Sequence, residues 1–440
     1  MSNLLAARLQ MAISLGFHII FAVAGMALPL MMVIAEWRWL QLQDATYLTL
    51  AKRWARGTAI LFAVGAVSGT ALSFELGLLW PNFMQLSGAI IGLPFSLEGF
   101  AFFTEAIFLG IYLYGWERVP PRVHLLSGLI VALSGVLSGI FVVTANAWMN
   151  APTGFKLVEG KPTDIDPIAA MLNPAAFSQT LHMVLAAYSA IGFAVAGIHS
   201  FLLLRDRNNL FHKHALAVAL ALGCPAAILQ LLSGDILARA VARHQPAKLA
   251  AFEGQFKTEA GAPLRLGGIP DEDAATTHYA IEIPRGLSLL AFHDAQAVVK
   301  GLDALPRAEW PPVKIVHLAF QVMVVAGFAM LAVALWGGWL AWRGQCFNSR
   351  RFLQATCLSA PLGLIAIEAG WTVTEVGRQP WIIYQVMRTA EAVTPMPGLI
   401  VPLISFTLLY IFLAAIVIWL LVGQIRESPR ILQGEGDAAA

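Results

Sequence analysis

Nine stretches of the chain stay apolar for the length that a helix needs to cross a bilayer, and polar residues collect between them. A hydrocarbon core about 30 Å thick asks for roughly 20 residues of helix. The stretches lie at about 11–34, 58–80, 89–115, 124–146, 176–203, 214–238, 312–342, 352–375 and 398–423. They predict an all-α integral membrane protein with nine transmembrane helices. Ala22-Val23-Ala24 resembles a signal cleavage site, but only Arg8 precedes the first run, which continues to Ile34. That is too long for an h-region, so the run is expected to be retained as a helix.

The polar segments carry the orientation. Fourteen Lys and Arg residues fall on one alternating set of short segments: Arg38, Lys52, Arg53, Arg56, Arg118, Arg122, Arg205, Arg207, Lys213, Arg343, Arg350, Arg351, Arg426 and Arg430. Five fall on the other: Arg8, Lys156, Lys161, Arg378 and Arg388. The richer side is cytoplasmic by the positive-inside rule. The N-terminus is then outside and the C-terminus cytoplasmic, with one long outer loop between helices 6 and 7. The expected division is helices 1–6 in 1–238, a periplasmic loop in 239–311, helices 7–9 in 312–423, and a disordered cytoplasmic tail in 424–440. A loop that long is usually functional or disordered.

Composition agrees with this reading. Of 440 residues, 58% are hydrophobic and 12% charged, about half the charged share of a soluble domain. A net charge of +2 without a basic stripe gives no footprint for nucleic acid. Cys224, Cys346 and Cys357 form no C-x-x-C pair, so neither a disulfide framework nor a thiolate metal site is expected.

Titratable groups inside a bilayer are costly, and each is a functional candidate. His18, Glu98, Glu105, His182 and Glu368 lie within predicted helices, as does Met323. At 1.5 Å per residue, His18 and His182 lie roughly 10 Å from the outer ends of their helices, Glu98 roughly 14 Å, Met323 roughly 16 Å and Glu368 roughly 10 Å. Five candidates from five helices thus share the outer half of the membrane. Glu98 and Glu105 are seven residues apart, within about 20° on one helix face. Such a pair suits a proton relay or cation path, or two polar groups satisfied by a neighbouring helix. Imidazole and thioether are the ligand set of low-spin haem. Spacing alone leaves His182, His317 and His18 in competition for that role, and a lone Met is more often packing.

Longer motifs narrow the choice. Glu368-Ala369-Gly370-Trp371 and Glu375-Val376-Gly377-Arg378-Gln379-Pro380-Trp381 closely resemble the signature of cytochrome bd oxidase subunit I. In order along the chain, so do Arg8-Leu9-Gln10 before His18, Glu98-Gly99 with Ala101-Phe102-Phe103 and Glu105, and Asn146-Ala147-Trp148-Met149 before Pro152-Thr153-Gly154. Lys248-Leu249-Ala250-Ala251 with Glu253, and then Gly268-Ile269-Pro270, complete a resemblance running from residue 1 to about 423.

That resemblance implies an electrogenic quinol oxidase that reduces dioxygen to water. It implies that His182 and Met323 ligate a low-spin haem b, that His18 ligates iron at a two-haem dioxygen site, and that Glu368 is the carboxylate of the second high-spin haem there. It does not assign which high-spin haem each of His18 and Glu368 holds. Glu98 belongs to the same site and with Glu105 conducts protons from the cytoplasm. Lys248 and Glu253 lie in the quinol-binding outer loop, Arg378 pairs with a haem propionate, and Trp371 lines the cofactor site. The implied cofactors are a low-spin haem b, a high-spin haem b and either haem d or a further haem b, with ubiquinol as substrate. The implied partner is subunit II in a membrane heterodimer, with room for a small single-helix subunit, in a bacterial inner membrane.

Three departures qualify the match. Gln321 stands where the family often has Arg two residues before the Met ligand, the Glu98-to-Glu105 interval is one residue shorter than in some members, and the outer loop is short. Gln321 and the Glu98–Glu105 segment resemble the cyanide-insensitive branch. The competing class is a proton- or cation-coupled transporter without redox cofactors, which predicts inverted repeats; no matching halves are found. A quinone-binding subunit without redox chemistry is the third reading.

Overall fold

The computed structural model describes residues 1–427. Among these, nine helical stretches are long and apolar enough to cross a membrane. They are Asn3–Leu42, Ala45–Leu79, Pro81–Tyr114, Pro121–Asn150, Ala176–Arg205, Leu210–His244, Val313–Trp342, Arg350–Val376 and Ile400–Arg426, numbered here as spans one to nine. Several outrun the apolar stretch that predicts them. Span one begins at Asn3, capped by the Ser2 side chain, so His18 lies roughly 22 Å from its first residue, not roughly 10 Å. Span six continues to His244, past the expected boundary at 238. Polar ends extend the helices because backbone hydrogen bonding continues where apolar content stops.

Span eight is two helices, Arg350–Ser359 and Leu362–Val376, broken at Ala360-Pro361 because proline cannot donate within a helix. Span nine runs to Arg426, so Gln424–Arg426 belong to a helix and not to the expected tail; the rest of that tail, from 428, lies outside the described residues.

Span one is the centre of the bundle. In its most apolar window 61% of residues are buried, against 11% in span nine, which therefore packs at the edge. Its Ile19, Val23, Ala27, Met31 and Ala35 form one core with residues of spans two, three, four, five, six and eight. Spans five and six touch backbone to backbone: a Cβ on Gly192 would lie 2.5 Å from the Cα of Gly223, the close approach that small residues permit between membrane helices. Outward faces are apolar, with Phe100, Phe103, Val325, Leu408 and Trp419 exposed. Such faces suit lipid or a membrane partner.

The connections sort into two ends. At one, Thr394 N–H donates to Leu79 O (2.9 Å), Tyr384 N–H to Met149 O (2.9 Å), and the Asn3 side chain to Met396 O (3.2 Å). At the other, Arg53 donates to backbone carbonyls of Gln424 and Glu427, and His214 faces Asp44 at 3.6 Å.

The segment between spans six and seven is ordered. It opens with a helix, Pro246–Glu253, followed by short antiparallel pairs: Leu264–Leu266 with Ile281–Ile283, Ile269–Asp271 with Thr276–His278, and Glu259–Ala260 with Val298–Val299. Leu249, Phe252, Leu287, Ala291 and Val299 pack with Val316 of span seven and Val373 of span eight, so the loop shares a core with the bundle.

Candidate active site

The two candidate histidines are held in the same way. His18 Nδ1 lies 3.0 Å from Ser68 Oγ of span two, and His182 Nδ1 lies 3.0 Å from Ser233 Oγ of span six. Ser68 already donates to Val64 O (2.9 Å), and Ser233 to Gln230 O (2.9 Å). Each hydroxyl therefore accepts from the ring, Nδ1 carries the proton, and Nε2 keeps the lone pair. The Gln230 amide, 3.1 Å from His182 Nε2, donates to that lone pair. This is the tautomer that a metal-binding imidazole needs, fixed by a bond to its other nitrogen. Neither serine was visible as a partner in the sequence, since 50 and 51 residues separate each pair.

Glycines crowd these side chains. A Cβ on Gly69 would lie 2.9 Å from His18 Cε1, and one on Gly370 would lie 3.0 Å from Met323 Sδ. One on Gly16, two residues before His18, would lie 3.2 Å from Glu368 Oε2, so Glu368 approaches the helix of His18. His182 in span five and Met323 in span seven both stand on helices that pack against spans six and eight. Trp371 packs into the central core.

His317 does not join the set. Its Nδ1 lies 2.8 Å from Phe252 O and its Nε2 3.1 Å from Gly267 O, so both nitrogens serve the loop backbone. Gln321 has a similar role, accepting from Gly267 N–H at 3.1 Å and donating to Arg265 O at 3.4 Å. Gln321, where the resemblance implies Arg, thus clamps the outer segment to span seven.

Glu98 and Glu105 face span four. Ser138 donates to Glu98 Oε1 at 3.4 Å, and a Cβ on Gly135 would lie 3.4 Å from Glu105 Oε1. Glu105 is 4% exposed and that oxygen has no partner among the described residues.

Lys248 and Glu253 turn inward rather than to solvent, 3% and 5% exposed. Burial pushes the Lys248 ammonium well below the usual lysine range, helped by Arg378 and opposed by Glu375. Burial lifts the Glu253 carboxyl to about 8, opposed by Arg265. Gly254 ends this helix at φ +63, with Thr277 donating to its carbonyl at 2.9 Å; only glycine adopts that conformation freely.

The structure adds a residue that sequence reasoning did not single out. Glu375, seven residues after Glu368 in span eight, accepts from the Asn146 amide and from Arg378 Nη2. Arg378 is 2% exposed, and its Nε and Nη1 have no partner among the described residues. The signal for Glu375 was its place in the Glu375–Trp381 block. Glu36 and Glu75 are also buried within spans, at 0% and 2% exposure; Glu36 pairs with His124 at 2.8 Å.

A model of the cytochrome bd terminal oxidase subunit I family matches residues 6–429. The chain belongs to that family. A Bacillus subtilis (strain 168) protein provisionally named cytochrome bd menaquinol oxidase subunit I is 38% identical over 98% of this chain and 98% of its own. Cytochrome bd ubiquinol oxidase subunit 1 of the same strain is 32% identical over 97% and 94%. The solved bd oxidase from Geobacillus thermodenitrificans superposes with a TM-score of 0.90 at 41% identity, covering 97% of this chain and 99% of that one. As a bd oxidase subunit I, the chain is a quinol oxidase, a haem-bearing multi-pass membrane oxidoreductase of respiratory electron transport.

The residues present fit haem. Two imidazoles carry an Nε2 lone pair, that of His182 held by the Gln230 amide in this structure, and a thioether stands against a glycine. A buried guanidinium keeps two donors unpartnered among the described residues for an anionic group such as a propionate. Among the described residues no group of three or more His, Cys, Asp or Glu side chains is placed to hold a bare metal ion.

Proposed function

We propose that the chain oxidises quinol at the outer face and reduces dioxygen, that His182 and Met323 would hold a low-spin haem b for electron transfer between the two reactions, and that His18 and a span-eight carboxylate would hold the two haems at which dioxygen is reduced. The observation that carries this reading is the shared device of His18 and His182, in which a serine of the neighbouring helix accepts a hydrogen bond from Nδ1–H and so leaves the Nε2 lone pair as the one available to iron. When bound, the haems supply one-electron transfer and, where an iron has a vacant side, dioxygen reduction.

The chain's own residues do the rest. Arg378 offers Nε and Nη1 to a propionate. Trp371 lines the cofactor site from the central core. Two carboxylates of span eight compete for the second high-spin haem. Glu368, expected from the resemblance, approaches Gly16 beside His18; Glu375 is the one bonded to a cation, as an anionic ligand in a low dielectric requires.

At the outer segment, Lys248 donates to a quinone oxygen and Glu253 accepts a proton as quinol is oxidised. Glu105 and then Glu98, assisted by Ser138, carry protons drawn from the cytoplasmic side. Quinol protons released outside and substrate protons taken from inside separate charge without a pump.

The loop charges support an outer N-terminus and a cytoplasmic C-terminus, and the bacterial inner membrane is the proposed location. Exposed apolar faces on spans three, seven and nine suit subunit II and a small single-helix subunit. Ubiquinol is the proposed substrate, with menaquinol the competitor because the relatives are named for both. The third haem is d or b.

A reduced-minus-oxidised spectrum of the purified oxidase tests the whole. Haem b bands with quinol-dependent oxygen uptake are expected, and their absence sinks the reading in favour of a transporter.

A further inference from the structure

Lys248 ends a chain of side-chain hydrogen bonds that runs from the outer segment into the bundle. Its Nζ donates to Asn150 Oδ1 at 2.6 Å, and Gln245 Nε2 donates to the same oxygen at 3.1 Å. Asn150 Nδ2 donates to Asn146 Oδ1 at 3.1 Å and to Asn146 O at 3.0 Å. Asn146 Nδ2 donates to Glu375 Oε1, and Arg378 donates to Glu375 Oε2. Asn150 is 1% exposed.

The direction of the chain is forced by its ends. An ammonium can only donate and a carboxylate can only accept. Both amides must therefore point the same way, oxygen toward Lys248 and nitrogen toward Glu375. A buried lysine is expensive unless its charge is paired and bonded. Lys248 has no carboxylate bonded to it among the described residues; its one side-chain acceptor is an amide oxygen oriented by a carboxylate two bonds further on.

We propose that Asn150 is a positioning residue for quinol oxidation: it holds the Lys248 ammonium in place and links it, through Asn146, to Glu375 of span eight. The neutral amide is what makes Lys248 useful. A carboxylate bonded directly would neutralise the ammonium and draw it away from a quinone oxygen, whereas an amide leaves its remaining N–H groups to the substrate. The charge balance is supplied at a distance by Glu375. Occupancy of the quinol site is thereby tied to the same helix that bears Glu368 and Met323's neighbour Gly370.

This inference rests on the quinol-site reading of Lys248. It is tested in the intact oxidase with a short-chain ubiquinol, an artificial one-electron donor, and equilibrium binding of the oxidised short-chain quinone. Asn150→Ala should raise the KM for quinol and weaken quinone binding about tenfold, the effect of one lost bond to a charged group, with kcat changed much less. Oxidation of the artificial donor should suffer less than oxidation of quinol. Adding Asn150→Ala to Lys248→Ala should give no further loss of quinone affinity, because both act through one ammonium. Asn150→Asp retains an acceptor for Lys248 but cannot donate to Asn146 when ionised, and it too should raise the quinol KM.

Losses that multiply in the double variant overturn the proposal, as do equal losses with both donors. A wild-type KM in Asn150→Asp overturns the link to Glu375. If instead the unaltered protein shows neither haem bands nor quinol-dependent oxygen uptake, the oxidase reading fails and takes this inference with it. Normal haem bands and oxygen uptake with unchanged quinone affinity in Asn150→Ala overturn this inference alone.

Discussion

The Lys248 side chain lies flat against Gly377: a Cβ at that glycine would stand 3.0 Å from Lys248 Cγ and 2.3 Å from the carbonyl of Val373. The block that starts at Glu375 therefore has a steric duty beside its polar one. It leaves room for the stem of a buried lysine arriving from another segment.

Gly377→Ala should displace Lys248 and destabilise the protein by about 1–3 kcal/mol, the usual cost of overpacking. Thermal unfolding in detergent and quinol kinetics check this together. A variant with unaltered melting and quinol KM would show that the contact yields without consequence.

Ser68 and Ser233 should control haem retention without touching haem. Replacing either by Ala frees Nδ1 of the facing histidine from its acceptor, and loss of such a partner weakens metal binding about 10–100-fold. Haem content by pyridine haemochrome, with the spectrum of the low-spin centre, is the measurement. Ser233→Ala should affect the low-spin bands and Ser68→Ala the high-spin ones; the reverse pattern would exchange the assignments of His182 and His18.

Glu253 gives a pH dependence with a definite sign. Its carboxyl is lifted to about 8 by burial, so it holds its proton below that pH and can accept one only above it. Quinol oxidation limited by this group should rise with pH through about 8, and Glu253→Gln should flatten that limb. The same shift acts on stability: relative to an exposed carboxyl of ordinary value 4.5, the folded state favours the protonated form. Stability from this group is full below 4.5 and is lost as pH rises toward 8. Glu253→Gln should thus melt relatively higher than the parent at pH 8.5 than at pH 5.

Glu368→Gln and Glu375→Gln separate the two candidate carboxylates. The variant that removes the ligand should lose one high-spin haem signal and most oxygen reduction while keeping the low-spin bands. If both variants retain all haem signals, neither residue is a ligand.

His317→Leu should loosen the outer segment rather than remove a haem, because both ring nitrogens face loop carbonyls. Leaving the buried Phe252 carbonyl without its donor costs about 1–3 kcal/mol. Faster proteolysis between residues 254 and 300, with the low-spin spectrum intact, is the expected outcome.

Much of this was legible along the chain. Nine apolar stretches determine nine spans because a bilayer offers backbone polar groups no alternative to the helix. The seven-residue interval places Glu98 and Glu105 on one face by geometry alone, and the motifs carry the family. Helix ends were less legible: Asn3 and His244 lie beyond the apolar stretches, where capping and local hydrogen bonds decide, and the break at Pro361 inside span eight turns on a single residue.

What only the tertiary structure decided are the partnerships. Ser68 with His18, Ser233 with His182, and Asn150 with Lys248 join residues 50, 51 and 98 positions apart, and nothing in a serine's or asparagine's own neighbourhood announces such a bond. His317 and His182 look alike as isolated imidazoles in apolar sequence; what surrounds each ring tells them apart. Hydrophobic length is a property of a segment and can be read from it. The tautomer of a histidine, the direction of an amide and the pairing of a buried charge belong to atoms that meet only when the helices pack.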